Sequence, residues 1–409
     1  MTQISARPLL LAGVVFTSLL AACSKDEFNA QIPETNKEPT SAQIEGNVFE
    51  PALVPATDLR IAQLRVPAGF TVAKFADSLG KPRQLTVSPA GHVYVTNREM
   101  GTVTLLRDTN ADGKADQKQV VANIKSVHGL TIHNGQMYLV AIKEVFRAPI
   151  NTDGTLGTLQ QLISDLPDAG QHPNRTIAFG PDGFMYITVG STCNACPEPN
   201  PEHATMLRAN ADGSNRTIFA TGLRNTIGFG WHPQTNELYG FDHGIDWLGD
   251  EQQKEELNVI KQGAFYGWPY IYGDGNYSPH PRPMGDTTYA QILAKTTLPT
   301  FSYVAHAAPL AMVFYTNTSA TAFPTDYQND IFVTMRGSWN KSQPSGYKVV
   351  RVHFENGKPT RASDFVSGFL VNGNQAQFGR PVGIATMPDG SLLFSEDNNG
   401  VIYRVSYQR

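Results

Sequence analysis

The chain has 409 residues, a formal net charge of −4, 41% hydrophobic residues and 17% charged residues. This length and composition predict a folded protein of one large domain or two ordinary ones, and they exclude a disordered chain. Because the net charge is slightly acidic and no basic run stands out, nucleic acid is not an expected partner.

The N-terminus carries a targeting segment. Arg7 precedes an apolar run over residues 8–20 that is too short for a transmembrane helix, and the run ends in Leu20-Ala21-Ala22-Cys23. Small residues before Cys23 and a polar tail after it favour a bacterial lipoprotein signal over an ordinary secretory signal. We therefore predict that residues 1–23 are a signal peptide that ends at a lipidated Cys23.

The residues after this cysteine predict how the folded part is attached. Ser24 is not an aspartate, which matches the outer-membrane sorting pattern. We expect an exported lipoprotein that faces the periplasm and is attached to the membrane, by this pattern the outer one, through its N-terminus only. Residues 24–55 are polar, contain prolines and lack periodicity, which predicts a flexible tether. Residues 56–409 remain as the folded domain.

One local pattern recurs along this domain, a turn with Gly, Asn or Asp followed by an alternating apolar strand. It occurs at residues 88–97, 132–141, 179–190, 232–242, 326–335 and 387–397. Alternation at period two marks strands with one buried face, and the turns mark hairpins. The repeats predict an all-β fold, a six-bladed β-propeller of four-stranded antiparallel blades. A β-sandwich and a β-helix are alternatives, but a β-helix has a shorter period.

A long segment separates the fourth repeat from the fifth. Residues 246–292 have little periodicity, many aromatic residues and several prolines, which indicates a functional loop. Short helices are predicted at residues 251–260 and 286–294.

Two further loops carry side chains that bind metals or form disulfides. Residues 108–116 have the sequence Asp-Thr-Asn-Ala-Asp-Gly-Lys-Ala-Asp, which partly matches a calcium loop, although Gln119 stands where such a loop has glutamate. A hairpin turn rich in Asp and Asn is the alternative. Cys193 and Cys196 lie in a loop where an exported compartment favours a disulfide, and a metal or redox role is the alternative.

Residues 221–270 combine features that suit a cofactor platform. Arg224 supplies a fixed cation with a planar set of donors, and Gly244 allows close approach of the backbone to a ligand. Five acids follow between residues 246 and 256, and carboxylates are ligands that calcium prefers. His172 lies just before a repeat, and a histidine with a pKa near neutrality suits the removal of a hydroxyl proton. A loop histidine that only caps a turn is the alternative.

Several motifs carry a resemblance to a known family. They are HPNRTIAFGPDG (172–183), GLRN (222–225), DHG (242–244), EELN (255–258), YGWP (266–269) and FGRPVGIATMPDG (378–390). Their order and spacing resemble the soluble quinoprotein sugar dehydrogenases, above all the sorbosone dehydrogenase-like proteins, over residues 65–407. The resemblance implies a six-bladed propeller that binds pyrroloquinoline quinone (PQQ) and calcium. It also implies oxidation of an aldose or related hydroxy-aldehyde, with electrons passing to an external acceptor, a cytochrome or a quinone.

The resemblance assigns roles around the cofactor. It implies that His172 is the general base and that PQQ is contacted by Arg224, Asn225 and Arg380. Arg336 takes the place of a family lysine and His306 that of a family threonine that contacts the cofactor. Phe378 stands where better-characterised relatives have a second arginine, so the cofactor carboxylates are expected to be held differently here.

It also assigns metal and substrate residues. The resemblance implies that the backbone carbonyls of Gly244 and Ile245 bind the catalytic calcium, and that Glu255 and Glu256 hold a structural calcium. A solvated helix start is the alternative for this acidic pair. His128 takes the place of a family glutamine near the sugar, and Trp247 and Trp339 are candidates for stacking on a sugar ring.

Two other functions remain open for the same fold. A propeller lactonase would use a metal-bound water held by side chains, and a non-catalytic propeller would serve as a binding protein or scaffold. The chain carries no nicotinamide or flavin motif, and Pro197 after Cys196 excludes a haem-attachment motif there. A dehydrogenase would therefore need an external electron acceptor.

Overall fold

The protein is described by a computed structural model that covers residues 46–168 and 170–408. The predicted signal peptide, Cys23 and the first part of the predicted tether lie outside these residues. Within them, no helix has both the length and the apolar character needed to cross a membrane.

The described chain begins with three short elements before the first complete sheet. They are strand β1 (Ala52–Leu53), helix α1 (Asp58–Ile61) and strand β2 (Phe70–Ala76). Thr57 begins the helix by accepting a hydrogen bond from the Arg60 N–H, which satisfies one of the free donors of the first turn.

The first three four-stranded sheets follow directly along the chain. Sheet 1 consists of β3 (Pro82–Val87), β4 (Val93–Asn97), β5 (Thr102–Arg107) and β6 (Gln117–Asn123). Sheet 2 consists of β7 (Gly129–His133), β8 (Gln136–Val140), β9 (Val145–Pro149) and β10 (Gln160–Ile163). Sheet 3 consists of β11 (Ile177–Phe179), β12 (Met185–Val189), β13 (Thr205–Ala209) and β14 (Thr217–Thr221).

Sheet 4 contains a long insertion before its last strand. Its first three strands are β15 (Phe229–Trp231), β16 (Leu238–Asp242) and β17 (Glu255–Val259). The insertion contains the pair β18 (Ile271–Tyr272) and β19 (Asn276–Tyr277) and helix α2 (Tyr289–Leu293). Strand β20 (Phe301–Tyr303) then completes the sheet.

The last two sheets include the C-terminus. Sheet 5 consists of β21 (Pro309–Phe314), β22 (Ile331–Met335), β23 (Lys348–Glu355) and β24 (Lys358–Val366). The short strands β25 (Leu370–Val371) and β26 (Ala376–Gln377) form a three-stranded sheet with β1. Sheet 6 consists of β27 (Pro381–Thr386), β28 (Leu392–Glu396), β29 (Val401–Tyr407) and, on its outer edge, β2.

The core is divided among the interfaces between consecutive sheets. One buried apolar cluster joins sheet 1 to sheet 2, and matching clusters join each later pair of neighbours. A further cluster, with Phe75, Val93 and Ile402, joins sheet 6 to sheet 1. The predicted all-β propeller of four-stranded antiparallel blades is confirmed, and the described residues contain six such sheets.

The six sequence repeats coincide with the second strand of each sheet. These strands, β4, β8, β12, β16, β22 and β28, are buried along almost their whole length. The expectation of one buried face was therefore wrong for them. A neighbouring sheet covers each face of these strands, so both faces lie in the core.

The insertion in sheet 4 corrects one helix prediction and confirms another. Residues 251–260 were predicted to be helical, but they contain the buried strand β17, because Leu257 and its neighbours pair with β16 and β20. The helix predicted at residues 286–294 is present as α2, which begins with a capping box at Thr288.

The predicted tether extends too far toward the domain. Its described end, residues 46–55, packs on the propeller, because the Phe49 N–H donates to the Trp339 carbonyl (3.0 Å) and β1 pairs in parallel with β26. These backbone bonds and the burial of Pro51 fix this segment to the three-stranded sheet and to the loop that follows β22. The folded part therefore begins before residue 56.

Candidate active site

One cavity of about 460 Å³ brings together six of the residues predicted to carry chemistry. Predicted residues that line it are His172, Arg224, Asn225, Arg336, Trp339 and Arg380. Its cations are Lys81, Arg83, Arg98, Arg224, Arg336 and Arg380, and its acids are Glu99, Asp246 and Asp397. With twice as many cations as acids, the cavity favours an anionic ligand.

His172 is held so that one ring nitrogen stays available. Its Nδ1 lies 3.0 Å from the Ser191 carbonyl oxygen and 2.8 Å from Ser191 Oγ. Because Ser191 Oγ donates its own proton to the Cys193 carbonyl (2.7 Å), we assign the ring proton to Nδ1. Nε2 then keeps its lone pair. Burial, with the Arg224 charge adding to it, lowers the pKa of His172 to about 2. This value is far below the near-neutral pKa expected from the sequence, and it keeps the imidazole neutral in the folded protein.

Arg224 and Asn225 are positioned through their backbone by one buried acid. Asp242, the last residue of β16, accepts hydrogen bonds from the N–H of Arg224 (2.8 Å), the N–H of Asn225 (2.8 Å) and the Thr226 hydroxyl (2.8 Å). Burial raises the pKa of Asp242 to about 6. The side chain of Arg224 is 3% exposed and forms an ion pair with Asp246 at 2.9 Å.

Arg336 and Arg380 are positioned from sheets 5 and 6. Arg380 donates from Nε to the Arg336 carbonyl (3.2 Å) and from Nη1 to Glu50 (3.0 Å). Arg336 donates to Asp397 (3.0 Å), which also accepts from Arg83. Although burial opposes the shift, Arg83 and Arg336 hold the pKa of Asp397 below its usual value. Arg336 and Arg83 thus share one counter-ion, and the cavity keeps a positive charge.

The sequence analysis did not identify the cavity residues that come from sheet 1, nor Asp397, the acid that pairs with one of them. Arg83 and Arg98 line the cavity, as does Asp397, and the buried Nε of Arg98 has no hydrogen-bond partner. A signal for these residues existed, because Arg98 directly follows β4 and Asp397 directly follows β28, the second strands of two repeats. The ends of equivalent strands meet at the same edge of a propeller.

Three of the residues predicted to bind cofactor or substrate, His128, His306 and Trp247, do not line the cavity. His128 is 1% exposed, with Nδ1 2.9 Å from the Arg175 carbonyl oxygen and Arg83 Nη2 3.5 Å from Nε2, so Arg83 occupies the position nearer the cavity. His306 Nε2 lies 2.9 Å from the Gly249 carbonyl oxygen. Trp247 packs edge-on against Trp339, with ring centroids 5.3 Å apart.

The four residues predicted to bind calcium do not line the cavity, and the two acids predicted to hold the structural calcium are not brought together as one ligand set. Glu255 accepts from the N–H of Ala308 (2.8 Å) and of Gly244 (3.2 Å), whereas Glu256 accepts from the Gly273 N–H (2.6 Å). Adjacent residues of a strand point to opposite faces, so these two carboxylates do not converge. Burial raises the pKa of both to about 8. The alternative of a solvated helix start was wrong, because both acids lie on the buried strand β17. Ile245 is buried as well.

The other candidate metal groups have simpler explanations. Cys193 and Cys196 form a disulfide, with Cα atoms 6.1 Å apart, as the sequence favoured. Within the described ranges, these cysteines and Glu198 are the one group of three potential ligands close enough to share an ion, and the disulfide occupies both sulfurs. Residues 108–116 form the loop between β5 and β6, where Asp108 and Asp116 accept backbone N–H bonds from Gly113 (2.8 Å) and Thr109 (2.8 Å).

The fold and the cavity define a class: a propeller with a neutral histidine and several arginines around one anion-favouring site. Residues 64–408 match the TrAA12-like family, and the chain therefore belongs to this family. The resemblance inferred from the sequence motifs is confirmed at the level of the protein family.

Curated proteins from several organisms are similar in sequence to this chain. A protein of Borreliella burgdorferi described as uncharacterized is 30% identical over 85% of this chain and 91% of its own length. The pyrroloquinoline quinone-dependent pyranose dehydrogenase of Coprinopsis cinerea is 23% identical over 83% of this chain, but the match spans only 54% of that longer protein. The aldose sugar dehydrogenase YliI of Escherichia coli is 23% identical over 69% of this chain and 82% of that protein.

Solved structures show the same fold. The PQQ domain of the Coprinopsis cinerea pyranose dehydrogenase, in its holo form, superposes with a TM-score of 0.71 at 21% identity, covering 84% of this chain and 97% of that one. The apo form of the soluble aldose sugar dehydrogenase of Escherichia coli gives a TM-score of 0.62 at 19% identity, covering 83% and 100%.

Proposed function

We propose that this protein is a PQQ-dependent sugar dehydrogenase that oxidises an aldose or a related hydroxy-aldehyde, such as a glucose- or sorbosone-like sugar. One observation carries the proposal: His172, with a free Nε2, shares one cavity with Arg224, Arg336 and Arg380. The names of the curated relatives, a pyranose dehydrogenase and an aldose sugar dehydrogenase, support the same reaction class.

The residues of the cavity suit a planar ligand with three carboxylates. Guanidinium groups bind carboxylates through paired, charge-assisted hydrogen bonds, and three arginines face the cavity in addition to Arg83 and Arg98. The buried Oδ1 of Asn225 and Nε of Arg98 have no hydrogen-bond partner, and a polar ligand would satisfy such groups. Phe378 is fully buried, and Arg83 adds a cation from sheet 1 in place of the missing arginine.

The chain's own contribution to the reaction is to hold the substrate and remove one proton. The chemistry that PQQ supplies when bound is acceptance of a hydride from the substrate carbon, with calcium polarising the quinone carbonyl. His172 Nε2 accepts the proton of the substrate hydroxyl as its O–H bond breaks. Trp339, 38% exposed at the cavity wall, offers a flat apolar face to a sugar ring. We further propose that the carbonyls of Gly244 and Ile245 bind the calcium, and that a cytochrome or quinone takes the electrons.

The test is reconstitution of residues 24–409 with PQQ and calcium, followed by a screen of sugars with an artificial electron acceptor. The proposal expects dye reduction that requires both PQQ and sugar. His172→Gln should lower kcat by about 10²- to 10⁴-fold, the usual contribution of a general base, with PQQ affinity retained. Sugar-independent binding of PQQ without turnover would instead support a binding protein, and lactone hydrolysis without PQQ would support a hydrolase.

A matched histidine variant separates loss of the base from general damage. His133 stacks on Phe179 with ring centroids 3.9 Å apart and does not line the cavity. His133→Gln should therefore retain wild-type kcat. If His172→Gln also retains it, the assignment of the base fails.

We also propose that the protein is an exported lipoprotein anchored through Cys23 to the outer membrane and facing the periplasm. The support is the apolar run that ends in Leu20-Ala21-Ala22-Cys23 with Ser24 after it. In a bacterial host, labelled palmitate should be incorporated into the wild-type chain but not into the Cys23→Ser variant. Equal labelling of both chains would contradict the anchor.

A further inference from the structure

A six-residue loop connects the two chemical parts of the cavity. The loop, residues 191–196, follows strand β12 and is closed by the Cys193–Cys196 disulfide. It contacts His172 at one end and Arg224 at the other. We call it the disulfide loop.

The first contact runs from the disulfide loop to the histidine. Ser191 accepts from His172 Nδ1 through its carbonyl oxygen (3.0 Å) and lies within 2.8 Å of the same nitrogen through its hydroxyl. The hydroxyl in turn donates to the Cys193 carbonyl at 2.7 Å. A change in the position of Cys193 would therefore reach the ring of His172 through one hydroxyl group.

The second contact runs from the same loop to the arginine. Arg224 donates from Nε to the Asn194 carbonyl (2.9 Å) and from Nη2 to Asn194 Oδ1 (2.7 Å). Asn194 Oδ1 also accepts from the N–H of Asp246 (2.9 Å), the acid that forms the ion pair with Arg224. One asparagine thus fixes both members of this ion pair, and the plane of the guanidinium with them.

The disulfide closes a ring that contains an acceptor for each of these two contacts. The accepting carbonyls belong to Cys193 and Asn194, and both peptide groups lie inside the small ring that the Cys193–Cys196 bond closes. A ring this short removes conformational freedom from the peptide groups within it. Its closure therefore limits where both acceptors can lie.

We propose that the disulfide loop is a positioning element that fixes the side chains of His172 and Arg224 relative to each other. We also propose that the geometry of the site depends on the Cys193–Cys196 bond being formed. The part concerning the reaction rests on the proposed dehydrogenase function. The placement of the two side chains does not rest on it. The consequence is that the enzyme is fully competent only after export to an oxidising compartment.

The first experiment needs no cofactor. In the apo protein, nitrogen NMR of the histidine and arginine side chains reports the tautomer of His172 and the hydrogen exchange of Arg224 Nε–H. The wild type should show the proton on His172 Nδ1 and slow exchange at Arg224. The double variant Cys193→Ser/Cys196→Ser should show mixed tautomers of His172 and exchange at Arg224 that is faster by about tenfold or more. Loss of the groups that orient a functional side chain through hydrogen bonds typically has an effect of about this size.

The second experiment distinguishes the contact with His172 from the contact with Arg224 by kinetics. Ser191→Ala should lower kcat by about tenfold, with the dissociation constant of PQQ unchanged. Asn194→Ala should weaken PQQ binding by about tenfold and leave kcat at saturating PQQ unchanged. The double cysteine variant should show both effects. Ser214→Ala and Asn210→Ala are matched controls, since these residues bond to each other at 2.8 Å in an exposed turn between β13 and β14.

The outcomes are distinct. If the wild type does not bind PQQ, the proposed function fails, and the apo NMR measurement still decides whether the loop positions the two side chains. If the double cysteine variant keeps the wild-type tautomer and exchange rate, the disulfide does not position them and the inference is overturned. If both single variants lower kcat and PQQ affinity together with thermal stability, the loop is a structural support only, which also overturns it.

Discussion

Sheets 4 and 6 each place a buried aspartate at the end of the second strand, and the two aspartates behave differently. Asp242 ends β16 and accepts from two backbone N–H groups and a hydroxyl. Asp397 follows β28 and accepts from Arg83 and Arg336. Burial raises the pKa of Asp242 to about 6, whereas the two guanidinium groups outweigh burial and lower the pKa of Asp397.

The difference shows that position in a blade does not determine what an acid does. Asp242 has no formal cation among its hydrogen-bond donors, so it serves to fix the backbone of the Arg224–Asn225 turn. Asp397 fixes cationic side chains and reduces the positive charge that they present to the cavity. Asp242 therefore fixes the backbone conformation at the site, and Asp397 reduces the positive charge of the cavity.

The largest effect should come from removing the backbone acceptor. Asp242→Ala leaves three buried donors without a partner, and each such loss costs about 1–3 kcal/mol. We expect the free energy of unfolding to fall by about 3–5 kcal/mol in urea titrations. Asp212→Ala, in an exposed turn, should change it by less than about 0.5 kcal/mol. A loss below about 1 kcal/mol for Asp242→Ala would show that water replaces the carboxylate.

A second effect concerns the histidine behind Arg83. Burial, together with the Arg83 charge, lowers the pKa of His128 well below its usual value. Only the unfolded chain then takes up a proton as the pH falls through about 6.5, so stability is lost on acidification. His128→Gln should therefore reduce the loss of stability between pH 7 and pH 5 by about 2 kcal/mol. Denaturant titrations at both pH values measure this, and an unchanged loss would mean that His128 is protonated in the folded protein.

A third test changes the charge on the sheet 6 side. Asp397→Asn removes the carboxylate that pairs with Arg83 and Arg336, so the cavity becomes more positive. PQQ should bind about tenfold more tightly, equivalent to about 1.4 kcal/mol, with a steeper dependence on salt. The variant should also melt at a lower temperature, because two partly buried cations lose their partner. Weaker binding would mean that Asp397 acts by orienting the arginines more than by its charge.

The smallest effect is expected at the rim. Glu50 pairs with Arg380 at 3.0 Å, but its side chain is 58% exposed, and exposed ion pairs contribute about 0–1 kcal/mol. Glu50→Gln should change stability and PQQ affinity only slightly, the affinity by less than about threefold in the tighter direction. A larger gain in affinity would show that the N-terminal segment competes with the cofactor for Arg380.

The sequence predicted the fold better than the site. Each turn-and-strand repeat identified the second strand of a sheet, because these strands have long apolar runs and strong turns. The first strands β11 and β15 have only three residues each, too few to show periodicity. Strand β17 was predicted as a helix because Glu255 and Glu256 suggested a solvated turn, whereas both side chains are buried.

Within the site, motif residues were identified and their neighbours were not. Arg224, Arg336 and Arg380 stand in recognisable motifs, and each lines the cavity. Arg83 and Asp397 form one ion pair across 314 positions of sequence, and no local pattern indicates such a pair. Only the packing of sheet 6 against sheet 1 brings them together.

The outer strand of sheet 6 has a consequence for the folding of the chain. Strand β2 pairs with β29, and the contact between Thr71 and Ser406 spans 335 positions. Strand β2 precedes the first complete sheet along the chain, so it must keep an unpaired edge until β29 reaches it. Sheets 1 to 5 are each built from consecutive parts of the chain, but sheet 6 is complete only when β2 and β29 have paired. A truncation that removes β29 would therefore leave β2 without a partner strand and the ring of sheets without its last interface.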